Sequence, residues 1–209
     1  MLAAAVGSLA TAAGPHLYWI ASRAAGIAAL LLASLSVSAG LLIGGRALSG
    51  RRADLRVTHE ALSLAALAAL LVHGLSLLGD AYLHPSVGDV AVPFLGGYKT
   101  LWTSTGIVAF WMLLVLGLSY YARGRIGVQR WRKLHRFAAL AWLLGLAHSL
   151  GEGTDAGTTW FLATIAIVAV PAMLLLLARL RERAAARGER SATAPRAPSA
   201  VSPQPRAAR

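Results

Sequence analysis

The chain has 209 residues, 57% of them hydrophobic and only 13% charged. With a mean hydropathy of +0.62 and its apolar residues in long blocks, it is excluded from the ordinary soluble domains and reads as a polytopic membrane protein. The net charge of +12 is confined to short loops and the tail, without a basic surface carrying groove-reading or aromatic elements, so no nucleic acid is expected as a partner.

Cysteine is absent, which excludes disulfides, thiolate-bound zinc, iron–sulfur clusters, c-type haem attachment and thiol catalysis. Residues 1–16 form a small, apolar segment with no Lys or Arg ahead of it. That argues against a cleaved signal peptide and predicts a poorly ordered or interface-lying stretch, set off by Pro15. The first span is expected over Leu17–Ile43, where Tyr18 and Trp19 make an interfacial anchor and small residues recur, allowing close helix packing. Arg23 stands inside its first turns; it either snorkels to the interface or meets an acidic cofactor group.

A basic loop, Gly44–Val57, leads to the second span, Thr58–Gly79. The longer loop Asp80–Thr103 holds Asp80, Asp89 and Lys99, and the third span follows over Ser104–Ala122. Arg123, Arg125, Arg130, Arg132 and Lys133 crowd the next connection, the fourth span is Leu134–Leu150, and Glu152 and Asp155 mark the loop after it. The fifth span, Thr159–Leu180, contains Pro171, which should kink or loosen it. Residues 181–209 turn basic and then Pro/Ala-rich, a composition that cannot bury a core and predicts a disordered tail. The expected fold is therefore an all-α membrane helix bundle of about five transmembrane helices, surrounded by lipid in the plasma or inner membrane. The positive-inside rule puts its N-terminus outside and its C-terminus in the cytoplasm.

Histidines carry the functional signal. His59 and His73 are 14 residues apart in the second span; His135 and His148 are 13 apart in the fourth. Ionisable groups within a span are costly and mark function by default. Spans two and four run in the same direction, so the histidines form two levels roughly 20 Å apart at ~1.5 Å per residue. Ligands to one metal ion lie only ~2 Å from it, so the four cannot share a zinc. Two haems fit, one held by His59 with His135 and one by His73 with His148, with both axial positions filled as suits electron transfer. Their propionates would need donors. Arg132, Lys133 and Arg136 flank the inner level, while Arg23, Lys99 and Trp102 are candidates at the outer one. A 13-residue step misses the same helix face by about 140°, so the fourth helix must bend or present its histidines on different sides, with Gly145 as the expected point of give. His16 and His84 read as ordinary interfacial or solvated residues, and the acidic Glu60 sits at a helix start, where a carboxylate is favourable.

The paired histidines on helices separated by one other resemble the ferric reductase/NADPH oxidase transmembrane domain. The stretch WRKLHRFAALAWLLGLAH (Trp131–His148) is similar to that domain and to MsrQ-type haem subunits, and WIASRAAGIAALLLASLSVSAGLL (Trp19–Leu42) looks like the first core helix of the group. The resemblance spans about Trp19–Leu180 and implies a haem b membrane electron carrier, the membrane subunit of an oxidoreductase. It departs from the group in two ways: members commonly have six helices, and no Gly-rich dinucleotide motif for a flavin or nicotinamide domain is present. The expected electron donor is therefore a separate flavoprotein or a membrane quinol, which makes quinone a second candidate cofactor. The expected acceptor lies outside: ferric iron, oxygen or a partner oxidoreductase. The competing readings are a transporter or channel using histidine as a proton relay or metal site, and a non-redox membrane protein with hydrogen-bonded buried histidines. Against transport stand the lack of an acidic residue near mid-span and of an obvious inverted repeat.

Overall fold

A computed structural model describes the backbone of residues 2–45 and 49–192 and the side chains of residues 16–45 and 50–189. Every regular element among them is helical: α1 (Leu2–Ile43), α2 (Arg52–Leu77), α3 (Val87–Ala91), α4 (Thr100–Leu118), α5 (Arg123–Ile126), α6 (Val128–His135), α7 (Ala138–Glu152) and α8 (Thr159–Ala192), with a 3-10 turn at Ser49–Arg51. Four helical stretches, His16–Ile43, Arg52–Leu77, Thr100–Leu118 and Thr159–Glu189, are long and apolar enough to cross a membrane. The apolar side chains they turn outward, such as Leu75 at 64% and Ile167 at 73% exposed, suit a lipid solvent and would be an aggregation hazard in water.

Three sequence expectations meet a different local structure. First, α1 does not begin at Leu17; its backbone is helical from Leu2 and continues through Pro15. Second, the fourth expected span is broken. Helix α6 ends at His135, Arg136 and Phe137 form a turn, and α7 supplies only 15 residues, or about 22 Å of the ~30 Å of hydrocarbon. Third, α8 runs unbroken across Pro171 to Ala192, so the first twelve residues of the expected tail are helical. The Pro-rich stretch 193–209 and Arg46 lie outside the described residues.

The chain divides into two units, Met1–Leu176 and Leu177–Arg209. Within the second, Arg179 pairs with Glu182 one turn away at 2.7 Å. Within the first, α1 lies antiparallel along α2, and α7 lies antiparallel along α4 while also touching α1. The α1–α2 contact has a sequence cause. Ser22, Gly26, Ala29, Ala33, Ser36 and Gly40 repeat at alternating steps of four and three, and small residues at that spacing let two backbones approach. A core of Leu30, Ala33, Ala66, Trp142, Phe161, Ile165, Ala169 and Ala172 joins α1, α2, α7 and the first part of α8. Trp142, 1% exposed, is its largest member, and its indole N–H is satisfied by Ser34 Oγ at 3.0 Å.

The loop between α2 and α4 is internally tied. The buried Asp80 carboxylate accepts from the backbone N–H of Tyr82 and Leu83, and Ser86 with Asp89 forms a capping box at the start of α3. Phe94 N–H donates to Ser104 Oγ and Trp111 Nε1–H to the Ala91 carbonyl, both at 2.8 Å, anchoring the loop onto α4.

Candidate functional site

Two histidine pairs face each other across α2 and the α6–α7 segment. The rings of His59 and His135 have centroids 6.1 Å apart, and those of His73 and His148 are 6.3 Å apart. These are the two pairings expected from the spacing, at two levels separated by 14 residues of α2, or ~21 Å.

Each histidine is held by its Nδ1–H. His59 donates to the Ser36 carbonyl, His73 to the Ser22 carbonyl and His148 to the Trp102 carbonyl, each at 2.8 Å; His135 donates to the Leu116 carbonyl at 3.3 Å. A carbonyl oxygen can only accept, so each Nδ1 carries a proton and a neutral ring keeps its lone pair on Nε2. That is the arrangement of a metal-binding imidazole, whose second nitrogen is fixed by a backbone or carboxylate acceptor.

The cradle has a repeating form. Four residues beyond the accepting carbonyl stands a glycine: Gly40 after Ser36, Gly26 after Ser22, Gly106 after Trp102. A β-carbon at these glycines would lie 3.1 Å from His59, 3.0 Å from His73 and 2.6 Å from His148. One helical turn thus presents a carbonyl at one level and a bare backbone at the next, against which the ring packs. Ser22 and Ser36 add a hydroxyl donated back to the backbone carbonyls of His73 and His59, at 3.1 and 3.4 Å. The fourth cradle differs: Tyr120 stands four residues after Leu116, and Trp131 stacks on His135 with centroids 5.0 Å apart.

None of these cradle residues except Trp102, singled out only as a donor to a cofactor, was expected from sequence. The signal was present, however: Ser-x-x-x-Gly occurs at 22–26 and again at 36–40, the same 14-residue interval that separates His59 from His73. The awkward 13-residue interval is resolved at Arg136–Phe137, where the chain turns between α6 and α7; Gly145 lies within an unbroken α7.

Two of the expected cationic partners, Arg23 and Lys99, have other occupations. Arg23 makes a two-point ion pair with the buried Asp155 through Nε and Nη2, and its guanidinium stands 4.7 Å over the Trp19 ring. Lys99 donates to the carbonyls of Gly151 and Glu152, both at 3.2 Å, capping the end of α7. Arg132 and Arg136 are exposed beside His135, with no ion pair among the described residues. His16 and His84 are exposed and belong to neither pair.

Among the described residues no group of three or more His, Asp or Glu could hold a bare metal ion. Two imidazoles in opposition can instead supply the two axial ligands of a metal whose other ligands come from a macrocycle. A metal–nitrogen bond of ~2.0 Å plus ~1.1 Å from that nitrogen to the ring centre, taken on both sides, separates the centroids by ~6.2 Å. The observed 6.1 and 6.3 Å fit that group.

Among known protein families, the one described as "Ferric reductase like transmembrane component" matches residues 25–146, a stretch that includes His59, His73 and His135 and stops just short of His148. No curated protein and no solved structure matches the chain.

Proposed function

Because this chain belongs to the family of ferric reductase like transmembrane components, we propose that it is a multi-pass membrane electron-transfer protein holding two b haems. His59 and His135 would ligate the one near the arginine-rich end, and His73 and His148 the one near the Asp80–Lys99 loop. The observation that carries the reading is the pair of centroid separations, 6.1 and 6.3 Å, with every Nδ1–H tethered to a backbone carbonyl, which leaves Nε2 as the nitrogen free to ligate. Bound haem would supply a one-electron ferric/ferrous couple, and a haem held by both imidazoles of a pair would favour electron transfer over ligand activation.

The chain's own residues do the positioning. The carbonyls of Ser22, Ser36, Trp102 and Leu116 set the tautomer and the ring planes, and the glycines let α1 and α4 close against the rings. Lipid and the apolar faces of the spans exclude water between the two levels. Arg132, Lys133 and Arg136 are exposed beside His135 and offer charge to propionates there. The charge asymmetry of the loops supports an orientation with the His59/His135 level toward the cytoplasm and the His73/His148 level outside. Electrons would then pass from a cytoplasmic flavoprotein or a quinol to an outer acceptor, ferric iron or a partner oxidoreductase.

The test is a pyridine haemochrome assay on the full chain purified in detergent after expression with ample haem supply. Two b haems per chain are expected. A chain that carries none overturns the proposal and leaves the transport and non-redox readings in front.

A further inference from the structure

Among the described residues only two buried side-chain polar atoms lack a hydrogen-bond partner: Trp131 Nε1 and Glu152 Oε2. They cannot serve one another, since 21 residues of α6 and α7 separate them, some 30 Å along helical backbone. A buried indole N–H without an acceptor has lost its water and gained nothing in return, and in folded proteins such donors are almost always satisfied. The indole of Trp131 therefore points to an acceptor that comes with a ligand.

Its surroundings narrow the choice. Trp131 lies one turn before His135 and stacks on its imidazole, with an interplanar angle of 27° and centroids 5.0 Å apart. Tyr120 packs edge-on against the same indole at 5.8 Å, and Arg123 stands 3.9 Å over the Tyr120 ring. The other three paired histidines lie against glycine; among the described residues only His135 has a stacked aromatic neighbour other than a histidine, and that neighbour carries the unsatisfied donor. Arg132, Lys133 and Arg136, all exposed, lie within five residues of Trp131 in the chain, and that local positive charge suits an anionic acceptor. The one anionic acceptor that a haem brings to its axial ligands' neighbourhood is its propionate.

We propose that Trp131 is a positioning residue for the macrocycle held by His59 and His135: its indole N–H donates to a porphyrin carboxylate while its ring fixes the plane of His135. The inference rests on the two-haem reading above and gives that site a handle on one edge of the macrocycle.

The experiment titrates the haem-free full chain in detergent with iron protoporphyrin IX and, separately, with its dimethyl ester, which keeps iron and ring but has no carboxylate. Soret absorbance is the readout, in a His73→Ala/His148→Ala background that leaves only the first pair. Trp131→Phe retains an aromatic ring and removes the N–H. It is expected to weaken binding of the free acid about tenfold, the lower end of the effect of removing an outer-shell partner. Binding of the ester should change by no more than about twofold, as a coupled pair requires. Equal loss with both porphyrins, or no loss with either, overturns the proposal.

Should the background variant fail to fold, redox titration of Trp131→Phe in the otherwise unchanged chain decides. One midpoint should fall, because an uncompensated carboxylate favours the ferric state, and the other should stay. Two unmoved midpoints overturn the proposal. An unsubstituted chain that takes up neither porphyrin overturns the two-haem reading and this inference together, whereas a silent Trp131→Phe leaves that reading intact.

Discussion

His148 lies so close to Gly106 that a β-carbon on that glycine would stand 2.6 Å from its Nδ1. At the other two cradles the same atom would meet the ring at 3.0 and 3.1 Å, distances a small rotation can relieve. The substitution series is therefore graded. Gly106→Ala should displace His148 and lose the haem of the His73/His148 site. Gly26→Ala and Gly40→Ala should keep both haems at about 1–3 kcal/mol cost in stability, the ordinary effect of overpacking. Haem per chain and thermal unfolding in detergent are the measurements, and equal occupancy in all three variants would refute the cradle geometry.

The pairing itself predicts a pattern of non-additivity. His73→Ala and His148→Ala should each remove the same haem, so the double variant should retain as much Soret absorbance as either alone. His59→Ala combined with His148→Ala breaks both sites and should leave almost none. If His59 instead paired with His148 and His73 with His135, the first combination and not the second would abolish binding.

Much of this arrangement could be read before any coordinates. The two pairings follow from parallel helices and near-equal spacing, because fixed rise per residue converts 13 or 14 positions into a common height. What spacing alone does not reveal is which backbone atoms receive the second ring nitrogen. That depends on α1 and α4, whose accepting residues Ser22, Ser36, Trp102 and Leu116 contribute main-chain carbonyls, and a carbonyl has no side-chain signature. A bend in the fourth span was legible from the 13-residue interval, but its place at Arg136–Phe137 rather than Gly145 was hidden, since neither residue is a helix breaker. It follows from tertiary demand: both histidines must face α2, and an unbroken helix would turn one of them away. From sequence Arg23 reads as snorkelling or as meeting a cofactor's acidic group, because Asp155 stands 132 residues later and only the fold brings the two together.

The Arg23–Asp155 pair yields its own prediction. Asp155 is 7% exposed and joins α1 to the loop before α8 through a two-point contact, while Arg23 also caps the Trp19 ring. Charged hydrogen bonds of this kind contribute about 1.5–3 kcal/mol. Asp155→Asn should destabilise the chain by about that much, and Arg23→Ala by a similar amount. The double variant should cost clearly less than the sum. Strict additivity, read from thermal unfolding in detergent, would show that the pair acts only as two separate polar groups. Arg23→Ala should also leave haem stoichiometry unchanged, since its guanidinium is committed to Asp155.

The hydrogen bonds to the four imidazoles are unequal, and that inequality predicts the order of the two midpoints. An Nδ1–H bonded to an acceptor makes the imidazole a more basic ligand, which stabilises ferric iron and lowers the potential. At the His73/His148 site both bonds are 2.8 Å, whereas at the other site the His135 bond is 3.3 Å. Exposed Arg132, Lys133 and Arg136 beside His135 push the same way, since nearby positive charge favours the reduced site. At the far level Arg23 is compensated by Asp155. The His59/His135 site should therefore have the higher midpoint, assigned by repeating the redox titration on His135→Ala, from which the higher wave should vanish. In the proposed orientation, which puts that site on the cytoplasmic side, an outward electron would move against the chemical gradient. The membrane voltage, inside negative and worth ~2.3 kcal/mol per elementary charge per 100 mV, would offset it. Loss of the lower wave instead would reverse the order and leave outward transfer downhill without help from the voltage.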